Sequence, residues 1–103
     1  MKFLLEVNIP TEIGNKGVKD GTLIKQLNEY LSEVKPEAAY FTINKGRRTV
    51  FFILNIENAE KIPEIAEPFW LDWHADVNVM PVMNEKDFEK AGPSIQRIVD
   101  KRR

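Results

Sequence analysis

Two carboxylates, Glu6 and Asp76, lie in alternating segments that read as strands, and in the element order derived below those strands are neighbours. Carboxyl groups on adjacent strands can form an acid/base pair, because the charge of one raises the pKa of the other and keeps a proton available near neutral pH. The competing outcome is ordinary: each carboxylate meets water or a cation. His74 is the only histidine and the one side chain whose unperturbed pKa lies near neutrality. It follows Trp73 at the start of the last alternating segment. With no cysteine and no second histidine, nothing in the chain has metal-ligand spacing, so no metal site is expected and His74 reads most simply as a surface residue. Asn8, Trp70 and Trp73 complete the candidates, an amide on the first strand and two indoles that ordinarily staple a helix to a core.

These residues are positioned by a short series of elements. Residues 2–9 alternate, with Phe3, Leu5, Val7 and Ile9 on one face and Leu4, Glu6 and Asn8 on the other, which predicts a strand stopped by Pro10. Glycines at 14, 17 and 21 predict a loop over 11–21, a candidate lid. Thr22 is placed to cap a helix in which Leu23, Leu27, Tyr30, Leu31 and Val34 recur at helical spacing up to Pro36. A strand over 37–43, a hairpin at Asn44-Lys45-Gly46-Arg47 and a third strand over 48–56 follow. That third strand is apolar on both faces, with Val50, Phe52, Leu54 and Ile56 on one and Phe51 and Ile53 on the other, and is predicted to be central.

Asn58 is predicted to cap a helix that buries Ile62, Ile65, Ala66 and Phe69 and is kinked by its prolines. Residues 75–82 predict a fourth strand that lies at an edge or ends at Pro81, and Asn84 a helix over 85–91 that Gly92-Pro93 ends before another begins. The order is β-α-β-β-α-β with a helical tail over 85–103: one α+β, ferredoxin-like domain spanning 1–103, with an antiparallel sheet and two helices on one face.

The second sheet face then needs a cover. The C-terminal helix is one candidate; a second copy packed sheet to sheet buries more area and is the expected one. If that face lines an interior, alternation places Glu6, Asn8, Tyr40, Thr42, Phe51, Asn55, Asp76, Asn78 and Met80 there. Aromatics mixed with amides and carboxylates describe a small-molecule pocket better than a packing face or a solvated one. The ligand-binding set expected from the sequence is therefore Glu6, Asn8, Tyr40, Phe51, Asn55, Asn78 and the two tryptophans, Trp70 and Trp73. Glu6, Asn8, Asp76 and His74 are the catalytic candidates.

The topology and the doubly apolar third strand resemble the dimeric α+β-barrel superfamily, which includes muconolactone isomerase-like proteins and antibiotic-biosynthesis and haem-degrading monooxygenases. More closely, VNIPTEIGN, KPEAAYFT, IAEPFWL and PVMNEKDFEKAGP resemble a family of small bacterial proteins of unknown function within it. The resemblance implies a homodimer. It also implies an alternative function as a cofactor-independent or haem-dependent monooxygenase, in which an asparagine on the first strand works with a tryptophan and, in the haem-degrading group, a histidine. Asn8 matches by position and type, whereas Trp70, Trp73 and His74 match by type alone.

Other classes are disfavoured. Net charge is −1, so no general attraction to nucleic acid or anionic lipid is encoded. RNA-recognition domains share this topology, but LLEVNI carries Glu6 in place of a stacking aromatic, and RRTVFFIL lacks the basic-glycine-aromatic spacing. No phosphate loop or dinucleotide fingerprint is present, and no bound cofactor is expected. The apolar start of MKFLLEVNIP is too short for a signal or a span, and the absence of cysteine suits the cytoplasm.

Overall fold

A computed structural model describes all residues from Met1 to Arg103. Seven residues of clean alternation form β1 (Lys2–Asn8), and β2 (Ala38–Asn44), β3 (Arg47–Asn55) and β4 (Asp76–Pro81) complete one antiparallel sheet in the order β2-β3-β1-β4. Four helices complete an α+β architecture compatible with a ferredoxin-like fold: α1 (Thr11–Asp20), α2 (Thr22–Val34), α3 (Lys61–Trp73) and α4 (Glu85–Lys101). The strands lie within one residue of their expected bounds. β3 is central, as its pattern required, and β4 is both an edge and ended by Pro81. Lys45 and Gly46 adopt φ 55° and 73°, both left-handed, so the β2-β3 hairpin closes in two residues and pairs Asn44 with Arg47.

Four local expectations are corrected. Residues 11–20 are helical, and their glycines mark close approach: a Cβ at Gly14 would lie 2.7 Å from the Arg48 Nη1, and one at Gly17 2.9 Å from the Leu23 Cβ. Gly21, at φ 79°, is the turn between α1 and α2. It also takes the cap position expected of Thr22, whose hydroxyl and N–H instead donate to the Asp20 carboxylate at 2.6 and 2.9 Å. Those bonds, the hydroxyl's first, hold the Asp20 carboxyl below its ordinary pKa. Asn58 is not the cap of α3; it sits in the preceding turn, where its carbonyl accepts the Lys61 N–H at 3.0 Å and Glu60 occupies the cap position. Finally, the tail is a single helix running through Gly92 and Pro93. A side chain before proline clashes with the ring in helical geometry, and Gly92 has none, so the pair interrupts one hydrogen bond without ending the helix.

The core lies between the sheet and α2 with α3. Leu5, Val7, Phe52, Val50 and Leu54 project to that side and are at most 4% exposed. Tyr30, Phe52, Phe69 and Trp73 form a chain of ring contacts with centroids 4.4–5.7 Å apart. α4 buries no residue, and the molecule extends 60 Å along its longest axis. Its radius of gyration is 17.4 Å, against about 13 Å for a compact chain of this size. α4 thus leaves the body and does not cover the sheet. No helix is long and apolar enough to cross a membrane.

Candidate functional site

The strand register brings the open-face residues into rows. One row runs Tyr40, Phe51, Glu6, Asn78; the next runs Thr42, Thr49, Asn8, Asp76; and on the other side of the first lie Ala38, Ile53, Leu4 and Met80. The face is therefore graded, with hydrogen-bonding groups toward the β2-β3 turn and apolar groups toward the opposite end. Tyr40 is 62% exposed and Met80 42%, while Leu4, Phe51 and Ile53 are half-buried.

At the polar end the side chains hold one another. The Glu6 carboxylate accepts from the Asn44 Nδ2 at 2.7 Å and from the Asn78 Nδ2 at 3.2 Å, one amide on each of its oxygens. Asn8, buried, donates from Nδ2 to the Asn44 carbonyl at 3.1 Å and to the Thr49 Oγ1 at 3.0 Å, and its Oδ1 accepts from the Arg47 Nη1 at 3.4 Å. The Thr49 hydroxyl donates in turn to the Arg47 carbonyl at 3.1 Å. Arg47 also faces the exposed Asp76 carboxylate at 3.6 Å. No buried side-chain nitrogen or oxygen lacks a partner. Glu6 and Asp76 each have their own partners, amides for one and a guanidinium for the other, and no hydrogen bond joins the two carboxyls.

Of the residues expected on this face, Glu6, Asn8, Tyr40, Phe51, Asp76 and Asn78 come together. Asn55 shares the face but sits at its far end, where Oδ1 accepts from the Met1 ammonium at 3.2 Å. It also lines a separate cleft of about 370 Å³ with Lys35, Glu37, Lys61 and Glu64. Trp70, Trp73 and His74 belong to the other side of the sheet. α3 crosses the helix face, and Trp73, 3% exposed, donates from Nε1 to the Gln26 Oε1 at 2.8 Å. His74 stops α3 in a left-handed conformation, φ 51°, its N–H bonded to the Trp70 carbonyl at 3.1 Å. The sheet thus separates Asn8 from both tryptophans and from His74 within one chain.

Asn44, Arg47 and Thr49 were not singled out from the sequence. The signal for them was a two-residue turn, which forces Asn44 opposite Arg47 and, by alternation, aligns Arg47 and Thr49 with Phe51. No group of three or more His, Asp or Glu side chains converges to hold a metal ion. No family model matches the chain, and no curated protein matches it.

Proposed function

We propose that the protein binds a small, partly apolar organic molecule on the open sheet face, in a pocket enclosed when a second copy packs its own open face against the first. The observation that supports this reading is the graded face itself: a hydrogen-bonded carboxylate, Glu6, sits in the same row as the Phe51 and Tyr40 rings. Two amide donors fix the carboxylate and leave it able to accept further bonds, so a ligand hydroxyl, amine or amide N–H would be oriented there. The rings and Leu4 would hold the ligand's apolar part. A second copy supplies the missing cover, since α4 leaves this face open and apolar side chains there gain by leaving water.

The test is solution mass by light scattering across protein concentrations, followed by thermal denaturation against phenols and aromatic amines. The expected result is self-association whose sheet-to-sheet step Met80→Lys breaks, with stabilisation by a ligand that Glu6→Gln abolishes or weakens; saturation at 100 times Kd would stabilise by about 2.7 kcal/mol. A monomer at every concentration, or ligand shifts indifferent to Glu6→Gln, would overturn the reading.

A further inference from the structure

The two edges of the sheet are defended differently. β4 carries Asp76 and ends in Pro81, features that discourage another strand from adding on. β2, Ala38-Ala39-Tyr40-Phe41-Thr42-Ile43-Asn44, contains no charge, no proline and no glycine, and it is the outer strand. Phe41 is 59% exposed and Ile43 75%, both on the helix side of the sheet. Long apolar edges with free backbone donors and acceptors pair with other strands unless something prevents it.

The residues flanking β2 identify the occupant. Glu37 precedes the strand and Lys45 follows it, each four residues from Phe41. When two copies of β2 run antiparallel about Phe41, residue positions pair symmetrically: Phe41 meets Phe41, Ile43 meets the small Ala39, and Tyr40 meets Thr42. Each Glu37 then comes to the strand end at which the other copy's Lys45 begins its turn. Lys45 has no ion-pair partner in its own chain, and Glu37 uses only Oε2, toward Lys2 at 2.9 Å. Charge at the ends and large-against-small packing in the middle are both satisfied by one register and one partner, the same sequence reversed.

We infer that β2 is an interface at which two copies of this chain join edge to edge, antiparallel and centred on Phe41, extending the four-stranded sheet into one of eight strands. This interface is independent of the sheet-to-sheet packing proposed above, because Phe41 projects to the helix side and face-to-face packing keeps two such residues apart. The chain has no cysteine, so a single introduced thiol reports one contact. Cα atoms directly opposite in an antiparallel pair are about 4.5–5.5 Å apart, within disulfide reach.

The experiment is mild oxidation of the full-length Phe41→Cys variant, read on a non-reducing gel beside Ser94→Cys on the exposed α4 as a control for random collision. Covalent dimer is expected for Phe41→Cys well above the control. A charge-reversal cycle then fixes the register. Made in the Met80→Lys background, so that only edge pairing remains, Glu37→Lys or Lys45→Glu alone puts two like-charged pairs into each dimer and weakens self-association about tenfold at low salt, and combining them restores it. Lys45→Glu leaves the Lys2 pair untouched and serves as the cleaner arm. Crosslinking no greater than the control would overturn the proposal, as it would if β2 instead received a strand from a different protein. Single reversals without effect would overturn the register.

Discussion

The two faces of the sheet are built by the same four strands, yet they do different work. On the helix side Leu5, Val7 and Phe52 are fully buried and make no polar contact through their side chains. On the open side the residues adjacent to these, Glu6, Asn8 and Phe51, are a carboxylate, an amide and a half-covered ring. Strict alternation means that neither face can be altered by shifting a strand without turning the other inside out. The helix face therefore carries most of the folding free energy. The open face can keep groups, such as a carboxylate beside an aromatic, that contribute little to stability and suit recognition.

Phe52→Ala tests the first half of that division and has the largest expected effect. Phe52 is wholly buried among Tyr30 and Phe69, with ring centroids at 5.1 and 5.7 Å. Truncation should destabilise by about 3–5 kcal/mol in urea denaturation, a large share of what a domain of this size has. A loss below about 1.5 kcal/mol, the range of a volume-conserving change, would show that the aromatic chain is not the centre of the core.

Asn8→Ala probes the other face at one of its two buried polar side chains, the other being Thr49. It removes two donated bonds, to Asn44 and Thr49, and an acceptor for Arg47. Thr49 keeps its bond to the Arg47 carbonyl, so the expected loss is about 1–2 kcal/mol by the same measurement. A loss equal to that of Phe52→Ala would abolish the distinction between the faces. The same variant should free Arg47 to move, which is expected to appear as faster amide exchange at Lys45 and Gly46 with no change in the helices.

The alternation that separates the faces was legible in the sequence, and so were the central place of β3, the end of β4 at Pro81 and the Asn84 cap, which the structure completes with reciprocal bonds to Asp87. Each rests on neighbours along the chain. What was not legible rests on neighbours in space. Gly14 and Gly17 read as turn residues because sequence shows glycine only as conformational freedom, whereas here the missing side chain makes room for Arg48 and Leu23. The same holds for Gly92, which lets a helix pass a proline. The open-face site was legible as a set of residues, but its hydrogen bonds were not, because they depend on the register that puts Asn44 beside Glu6 and Arg47 over Asn8. Trp70, Trp73 and His74 were assigned to it by type; their place was decided by which side of the sheet α3 crosses.

Tyr30 is where the division of faces is least pure, since it brings a hydroxyl into the apolar side. Its ring packs on Phe69 at 4.4 Å, and its hydroxyl donates to the Ile65 carbonyl at 3.0 Å. Burial pushes the phenol's pKa well above its ordinary value of 10.0, because the phenolate has no compensating charge nearby. A folded-state pKa raised in this way means that stability is fully present below the unfolded value, about 10, and declines as pH rises beyond it. Tyr30→Phe should therefore be less stable than the parent by about 1 kcal/mol at pH 7, the worth of the one hydrogen bond. Above about pH 10 the difference should shrink and then reverse, because only the parent must keep its phenol protonated in order to stay folded. Urea denaturation of both proteins at pH 7 and across the alkaline range isolates this group, since every other ionisable side chain is common to the two. A difference that stays constant with pH would mean that the hydroxyl reaches water in the folded state, and that the helix side is less dry than its exposures indicate.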